Sequence, residues 1–169
     1  MSEQRERLLL AEYIRLKLPN SIVRQNCPLG IVPESLIIEY GRTMALRVAR
    51  KMRPEVDALV IEPKRLILIE AKVIRWVDGV SKLALYRALI PDTPELEVYQ
   101  DREIVLRMVT PFTQENMLSV AARMGVEIVE FTTPAISEYL RTVLPRYGTS
   151  EYKQQRAAIL RQREILGVK

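Results

Sequence analysis

The sequence of 169 residues contains no histidine, and this absence excludes more chemistry than any other feature of the composition. Without histidine the chain cannot form Ser/His/Asp or Cys/His triads, zinc sites built on histidine pairs, or nuclease sites that use histidine as the general base. An enzyme made from these residues must depend on carboxylates, lysine, arginine, tyrosine, serine or a bound metal.

Glycine, cysteine and long apolar runs are also scarce. The six glycines are not spaced to form GxxxxGK[ST] or GxGxxG, which argues against NTPases and dinucleotide-binding proteins. The single cysteine, Cys27, cannot form an intramolecular disulfide, and no histidine or second cysteine can complete a zinc site with it. No apolar run reaches the roughly 18 residues of a membrane helix, and the N-terminus begins with charged residues instead of a signal peptide. We therefore expect a cytoplasmic protein without a membrane partner.

Basic residues are concentrated in two segments of a chain whose net charge is +5 at pH 7. Residues 42–53 contain five basic residues and no acidic one, and residues 141–169 contain seven basic residues and two acidic ones. Each cluster alone fits a solvated surface. Two such clusters in one small basic protein favour a nucleic-acid partner.

The hydrophobic pattern predicts one domain, residues 1–169, of the α/β (α+β) class with a mixed sheet flanked by helices. We expect helices at about 2–18, 80–90, 114–124, 135–144 and 150–166, and strands at about 43–48, 56–61, 66–71, 102–109 and 126–131. Residues 19–34 contain three prolines and indicate a loop, whereas residues 35–40 fit either a short strand or a helical turn. The expected core covers about 3–131, and a C-terminal helical extension covers about 135–169.

A Glu-x-Lys triplet occurs three times in the sequence. The triplets at 62–64 and 151–153 fall in a predicted turn and a polar helix, where they are typical of surface charge. Glu70 and Lys72 instead end the apolar run from Leu66 to Ile69, so a buried strand brings both residues to its own edge. The two-residue period of a strand then points both side chains to one face.

The predicted hairpin sets Asp57 opposite Glu70. A symmetric connection centred between Pro63 and Lys64 pairs residues whose numbers add to 127, as 57 and 70 do. Like charges opposed in a strand pair cost up to about 1 kcal/mol. A divalent cation between them turns the repulsion into ligation, and oxygen ligands suit Mg²⁺ or Mn²⁺. The alternative is an exposed rim of charges in which Asp57 pairs with an arginine such as Arg53.

These residues resemble a known catalytic signature. Pro54-Glu55-Val56-Asp57, twelve intervening residues and Glu70-Ala71-Lys72 resemble the motif of the PD-(D/E)xK phosphodiesterases, a superfamily with restriction-endonuclease-like, RecB-like and Holliday-junction-resolvase-like branches. The resemblance covers about residues 3–109 and implies an αβββαβ core. Residues 82–86, Lys-Leu-Ala-Leu-Tyr, are similar to the Gln-x-x-x-Tyr helix motif of the last two branches, with lysine in place of glutamine.

The resemblance implies a metal-dependent nuclease, acting as an endonuclease or an exonuclease, with DNA as the expected substrate. Asp57, Glu70 and the backbone carbonyl of Ala71 would then hold Mg²⁺ or Mn²⁺. Lys72 would orient the attacking water and offset charge on the phosphate.

Further residues are candidates for supporting roles. Members of the superfamily often add an acid from the first helix, for which Glu12 is preferred here over Glu6. Arg50, Arg53 and Lys82 are candidates for phosphate binding, which needs donors close to the cutting site but reads no sequence.

Two alternatives stay open at this point. The protein can be a catalytically silent nucleic-acid-binding or assembly protein that keeps the nuclease fold. Independently, the C-terminal helices carry apolar residues among basic ones and can bind a protein partner or a second copy of the chain.

For Tyr86, packing against the sheet is favoured over stacking on a base.

Overall fold

The computed structural model of the protein describes residues 2–143. The helices are α1 (Ser2–Lys17), α2 (Glu34–Ala49), α3 (Trp76–Leu89), α4 (Glu115–Arg123) and α5 (Pro134–Val143). The strands are β1 (Ile22–Pro28), β2 (Glu55–Ile61), β3 (Arg65–Ala71), β4 (Glu103–Thr110) and β5 (Val126–Glu130), and short 3-10 turns cover Arg50–Met52 and Pro94–Tyr99. The chain up to Thr133 forms one compact unit, and α5 belongs to a second unit that begins at Pro134.

The five strands form one mixed sheet in the order β1-β2-β3-β4-β5. β1, β2 and β3 are antiparallel neighbours, whereas β4 and β5 are parallel to the strands before them. Helices α1, α3 and α4 contact the sheet. The predicted class, a mixed sheet flanked by helices, is therefore confirmed. The described residues include no helix that combines the length and apolar character needed to cross a membrane.

The hairpin formed by β2 and β3 has the predicted register. Leu59 pairs with Leu68, and Ile61 pairs with Leu66. All four side chains belong to the main hydrophobic core, where they pack with residues of α3. A shift by one residue would turn this apolar set to the opposite face of the sheet, so burial specifies the register strongly.

Helix α3 connects β3 to the parallel strand β4 and covers the core face of the hairpin. Val80, Leu83 and Tyr86 of this helix are buried in the main core. Tyr86 is 2% exposed, and its hydroxyl donates a hydrogen bond of 2.9 Å to the carbonyl of Glu55. The prediction that Tyr86 packs against the sheet is therefore confirmed.

The sequence-based assignment was wrong between residues 19 and 49. Residues 22–28, expected in a loop, form β1, and residues 43–48, expected as a strand, lie in α2. Ala45 and Ala49 of α2 are buried four residues apart, which is the spacing of a helix face. The undecided residues 35–40 are also helical, and Gly41, with φ of 72°, forms a kink in α2. The three antiparallel strands before α3 are thus present, but with α2 inserted between the first and the second.

The remaining predicted elements lie within a few residues of the observed ones. Helix α5 matches the expected helix at 135–144. The last predicted helix, 150–166, and the partner surface expected on it lie outside the described residues.

Candidate active site

The register of the hairpin brings two carboxylates to the same level at one end of the sheet. The ladder between β2 and β3 ends with Ala58 paired to Ile69, so one further step sets Asp57 level with Glu70. The side chain of Asp57 also reaches β3, where its Oδ2 accepts a hydrogen bond of 3.0 Å from the backbone N–H of Ala71. The structure therefore brings these two predicted residues together.

Glu70 is fully buried, and its two carboxylate oxygens have different surroundings. Oε1 lies 3.2 Å from Nζ of Lys72 and 3.3 Å from Nζ of Lys82. Oε2 has no hydrogen-bond partner among the described residues. Buried polar atoms normally have a partner, so this oxygen is available to a ligand that is not a protein group.

Lys72 is buried next to Glu70, and its ammonium also forms an ion pair with a carboxylate of the first helix. Its Nζ lies 3.1 Å from Oε2 of Glu6, and the side chains of Lys72 and Glu6 are 9% and 15% exposed. Glu12, the preferred helix acid at the sequence level, instead pairs with Arg15 at 2.6 Å on an exposed part of α1. The acid that α1 supplies to this cluster is Glu6.

Burial makes both carboxylates harder to ionise, and the charge of Asp57 adds to this effect at Glu70. Burial raises the pKa of Glu70, and the negative charge of Asp57 raises it further, against the effect of two nearby lysines. Burial also raises the pKa of Asp57, although the hydrogen bond from a backbone N–H acts in the opposite direction. For Lys72, burial lowers the pKa, but the three surrounding carboxylates outweigh this effect and raise it. Lys72 is therefore positively charged at neutral pH.

The cluster opens into a cleft of about 850 Å³. One side of the cleft is α1, and the other side contains the exposed polar part of β1 together with residues of β2 and α3. Its lining includes Glu6, Arg7, Gln25, Asn26, Arg50, Asp57, Lys72 and Lys82. The cleft is large enough for a segment of polymer, and both carboxylate and basic groups face it.

No protein-family model matches the chain, and no curated protein matches it. Its function is therefore inferred from the chemistry of these residues.

The three predicted phosphate ligands occupy different environments. Lys82 is half exposed at the cleft, and Arg50 lies on its rim, where it binds Glu55 at 2.9 Å. Arg53 is buried, and its two terminal nitrogens bind the carboxylate of Glu95 at 2.7 and 2.8 Å. We therefore assign Arg53 a structural role and retain Arg50 and Lys82 as phosphate candidates.

A small hard cation fits the carboxylate pair, although the described residues contain no group of three or more Asp, Glu, His or Cys side chains that could hold a metal ion. Oxygen ligands suit Mg²⁺, which usually keeps several waters and takes one or two carboxylates from the protein. The unpartnered Oε2 of Glu70 and the raised pKa values of both acids are features that a nearby cation would compensate. The role of the Ala71 carbonyl stays a prediction.

Two residues of the site were missed at the sequence level. Asn26 lines the cleft from β1, at the level of Asp57, because its neighbours Gln25 and Cys27 pair with Ala58 and Val56. Gly79 lies behind Lys72, since an added Cβ would be 2.8 Å from Cγ of that lysine. Gly79 was missed because the predicted helix began at residue 80, whereas α3 begins at Trp76 and includes this glycine. No sequence pattern marked Asn26.

Proposed function

We propose that the protein is a metal-dependent nuclease that hydrolyses phosphodiester bonds in nucleic acid, with DNA as the expected substrate. The observation that carries the proposal is the pairing of partly buried Asp57 with fully buried Glu70, which has one unpartnered carboxylate oxygen, beside Lys72 at an open cleft. A surface ion pair does not need a buried carboxylate oxygen without a partner, whereas a bound cation would supply the partner that this oxygen lacks.

The topology supports the same proposal. One helix precedes an antiparallel run of three strands, and a crossover helix leads to a fourth strand parallel to the third. This order matches the αβββαβ core implied by the resemblance to PD-(D/E)xK enzymes, apart from the insertion of α2. We therefore include the restriction-endonuclease-like core in the proposal.

The residues of the site have distinct proposed roles. Asp57 and Glu70, with the carbonyl of Ala71, would hold Mg²⁺ or Mn²⁺. When bound, the cation would polarise the scissile phosphate and acidify a water molecule. Lys72 stays protonated because its pKa is raised, so it acts as a hydrogen-bond donor to the water or to the phosphate and not as the general base. Glu6 keeps this ammonium in place.

Basic residues at the cleft would bind the substrate backbone. Lys82 lies within ion-pair distance of Glu70, and half of its side chain is exposed to the cleft. Arg50 extends the positive charge along the rim next to β1. Phosphate contacts of this kind position a strand without reading its sequence.

Purified protein should cut single-stranded, duplex or branched DNA in Mg²⁺ or Mn²⁺, as followed on gels. Asp57→Ala and Glu70→Ala should each lower the rate by on the order of 10² to 10⁴. The matched controls are Glu62→Ala and Lys64→Ala, because these residues form the other Glu-x-Lys triplet of the same hairpin at its exposed turn. They should cut like the wild type.

A second readout does not depend on activity. Mg²⁺ or Mn²⁺ should raise the thermal midpoint of the wild type but not that of Asp57→Ala, because a ligand stabilises the state that binds it. Cleavage that is unchanged in both carboxylate variants would contradict the proposal. Binding of nucleic acid without cleavage or a metal response would favour the catalytically silent alternative.

A further inference from the structure

A second cavity, of about 310 Å³, adjoins the active-site cleft along the edge strand β1. The two cavities share Gln25, Asn26 and Arg50. Beyond these shared residues, the second cavity is lined by Arg24 of β1 and by Arg47 of α2. We call Arg24, Arg47 and Arg50, with the cavity between them, the arginine pocket.

The arginine pocket has an excess of positive charge. Glu95 also lines it, but that carboxylate already binds the buried Arg53 through both oxygens. The side chains of Arg24 and Arg47 are exposed and make no hydrogen bond or ion pair with other residues in the part of the chain that the structure describes. Two guanidinium groups without a protein acceptor therefore face a concave surface, which is the arrangement that binds anions.

Local backbone geometry fixes the third arginine between the two cavities. Asn26 has a φ of 50°, a left-handed conformation that asparagine tolerates better than most residues. Its carbonyl accepts a hydrogen bond of 3.0 Å from Nη2 of Arg50, while Nε of Arg50 donates to Glu55 at 2.9 Å. Because Gln25, Asn26 and Arg50 line both cavities, the arginine pocket adjoins the cleft that Asp57 lines.

We propose that the arginine pocket binds phosphate groups of a nucleic-acid strand whose scissile bond lies at Asp57 and Glu70. The inference rests on the proposed function and adds the path of the bound nucleic acid. The nucleic-acid strand would run from the carboxylate pair past Asn26 and Arg50 to Arg24 and Arg47. The ligand is the phosphate itself, because the pocket offers charged donors that bind backbone anions at any sequence. Binding there is therefore tolerant of base sequence.

The test measures binding separately from cleavage. In full-length Asp57→Ala protein without metal, the affinity for fluorescent single-stranded oligonucleotides is measured by anisotropy over a range of salt concentrations. Replacing both Arg24 and Arg47 by glutamine should reduce the slope of log affinity against log salt by about 1.4, since each phosphate contact on a single strand contributes about 0.7. The weakening should be the same for oligonucleotides of different sequence.

Two control variants accompany the glutamine double variant. One removes the same amount of positive charge elsewhere on the protein, and the other keeps the positive charge at positions 24 and 47. The double variant Lys64→Gln/Arg123→Gln loses two positive charges at exposed positions outside both cavities and should keep the parent slope. Arg24→Lys/Arg47→Lys keeps the charge and should recover most of the slope. Circular dichroism checks that each variant folds. If the double glutamine variant does not fold, the single variants Arg24→Gln and Arg47→Gln replace it, and each should lower the slope by about 0.7.

Comparison of 5′-phosphorylated and 5′-hydroxyl oligonucleotides identifies the source of the phosphate. A preference for the 5′-phosphate that disappears with Arg24 and Arg47 assigns the pocket to a strand end, and equal binding assigns it to internal phosphodiesters. An unchanged affinity and slope in the glutamine variant, or an equal loss in the Lys64/Arg123 control, overturns the inference. Metal-dependent cleavage by wild-type protein is measured separately. Absence of cleavage would contradict the proposed nuclease function, whereas an unchanged salt slope would contradict only the role of the arginine pocket.

Discussion

The ammonium of Lys72, just after β3, binds Glu6 of α1 with Nζ and Oε2 3.1 Å apart. Both side chains are largely buried, so this ion pair is screened less by solvent and salt than a surface pair. It ties the first helix to the strand that supplies Glu70. The first helix therefore contributes a side chain to the candidate site in addition to packing against the sheet.

Glu6→Gln should lower the cleavage rate by about 10- to 100-fold, the range found when a partner that orients a metal-site group is lost. The substitution keeps the size of the side chain but removes one charge that helps to raise the pKa of Lys72. Rates are measured with Mg²⁺ at a fixed pH. Glu12→Gln is the control, because Glu12 pairs with Arg15 on the exposed part of α1. An equal loss in both variants would contradict the role given to Glu6.

The stability of metal-free protein should depend on pH through Glu70. Its pKa is raised in the folded state, so folded protein binds more protons than unfolded protein at pH values between the ordinary and the raised pKa. Stability therefore falls as pH rises through this window. Relative to Glu70→Gln, the wild type should be more stable at pH 5 than at pH 7.5. Urea unfolding of both proteins at the two pH values measures the difference, and the opposite sign would contradict a raised pKa.

The hairpin that carries the carboxylates could be predicted because its sequence contains two consistent signals. The apolar residues of β2 and β3 are buried on both faces of the sheet, and a charged turn with Pro63 fixes the symmetric connection between them. The register then set Asp57 level with Glu70. The two-residue period of β3 then predicted that Lys72 lies on the same face as Glu70.

The first part of the chain could not be predicted in the same way, because its local sequence pattern does not favour the secondary structure that it adopts. β1 lies at the edge of the sheet, where Arg24, Gln25 and Asn26 are all exposed, so no alternation of polar and apolar residues marks the strand. α2 contains β-branched and long apolar side chains that suggested a strand at 43–48. The choice of Glu12 over Glu6 failed because helical spacing alone does not tell which face meets Lys72.

Gly79→Ala should impair the site through Lys72. An added Cβ would lie 2.8 Å from Cγ of Lys72 and 2.8 Å from Sδ of Met108, closer than real Cβ contacts allow. We expect a loss of about 1 to 3 kcal/mol in the free energy of unfolding, as for other overpacked sites. Displacement of the lysine should also lower the cleavage rate by up to about 100-fold. Ser81→Ala, an exposed change in the same helix, is the control, and wild-type cleavage by Gly79→Ala would contradict close packing behind Lys72.

Arg53→Ala should be among the most destabilising single changes in a basic side chain of this protein. The side chain of Arg53 is 4% exposed, and its guanidinium binds Glu95 through two nitrogens and donates to two backbone carbonyls near the end of β1. Its removal leaves a partly buried carboxylate without its cation, which typically costs about 3 to 5 kcal/mol. Urea unfolding measures this loss.

The control for Arg53 is Arg42→Ala, since Arg42 pairs with Glu97 while both side chains are about two-thirds exposed. An exposed pair of this kind contributes about 0 to 1 kcal/mol. The double variant Arg53→Ala/Glu95→Ala should be less unstable than Arg53→Ala alone, because it removes the carboxylate that was left unpaired. Equal losses in Arg53→Ala and Arg42→Ala would instead return Arg53 to the set of phosphate candidates, since a residue with no structural role is free to bind substrate.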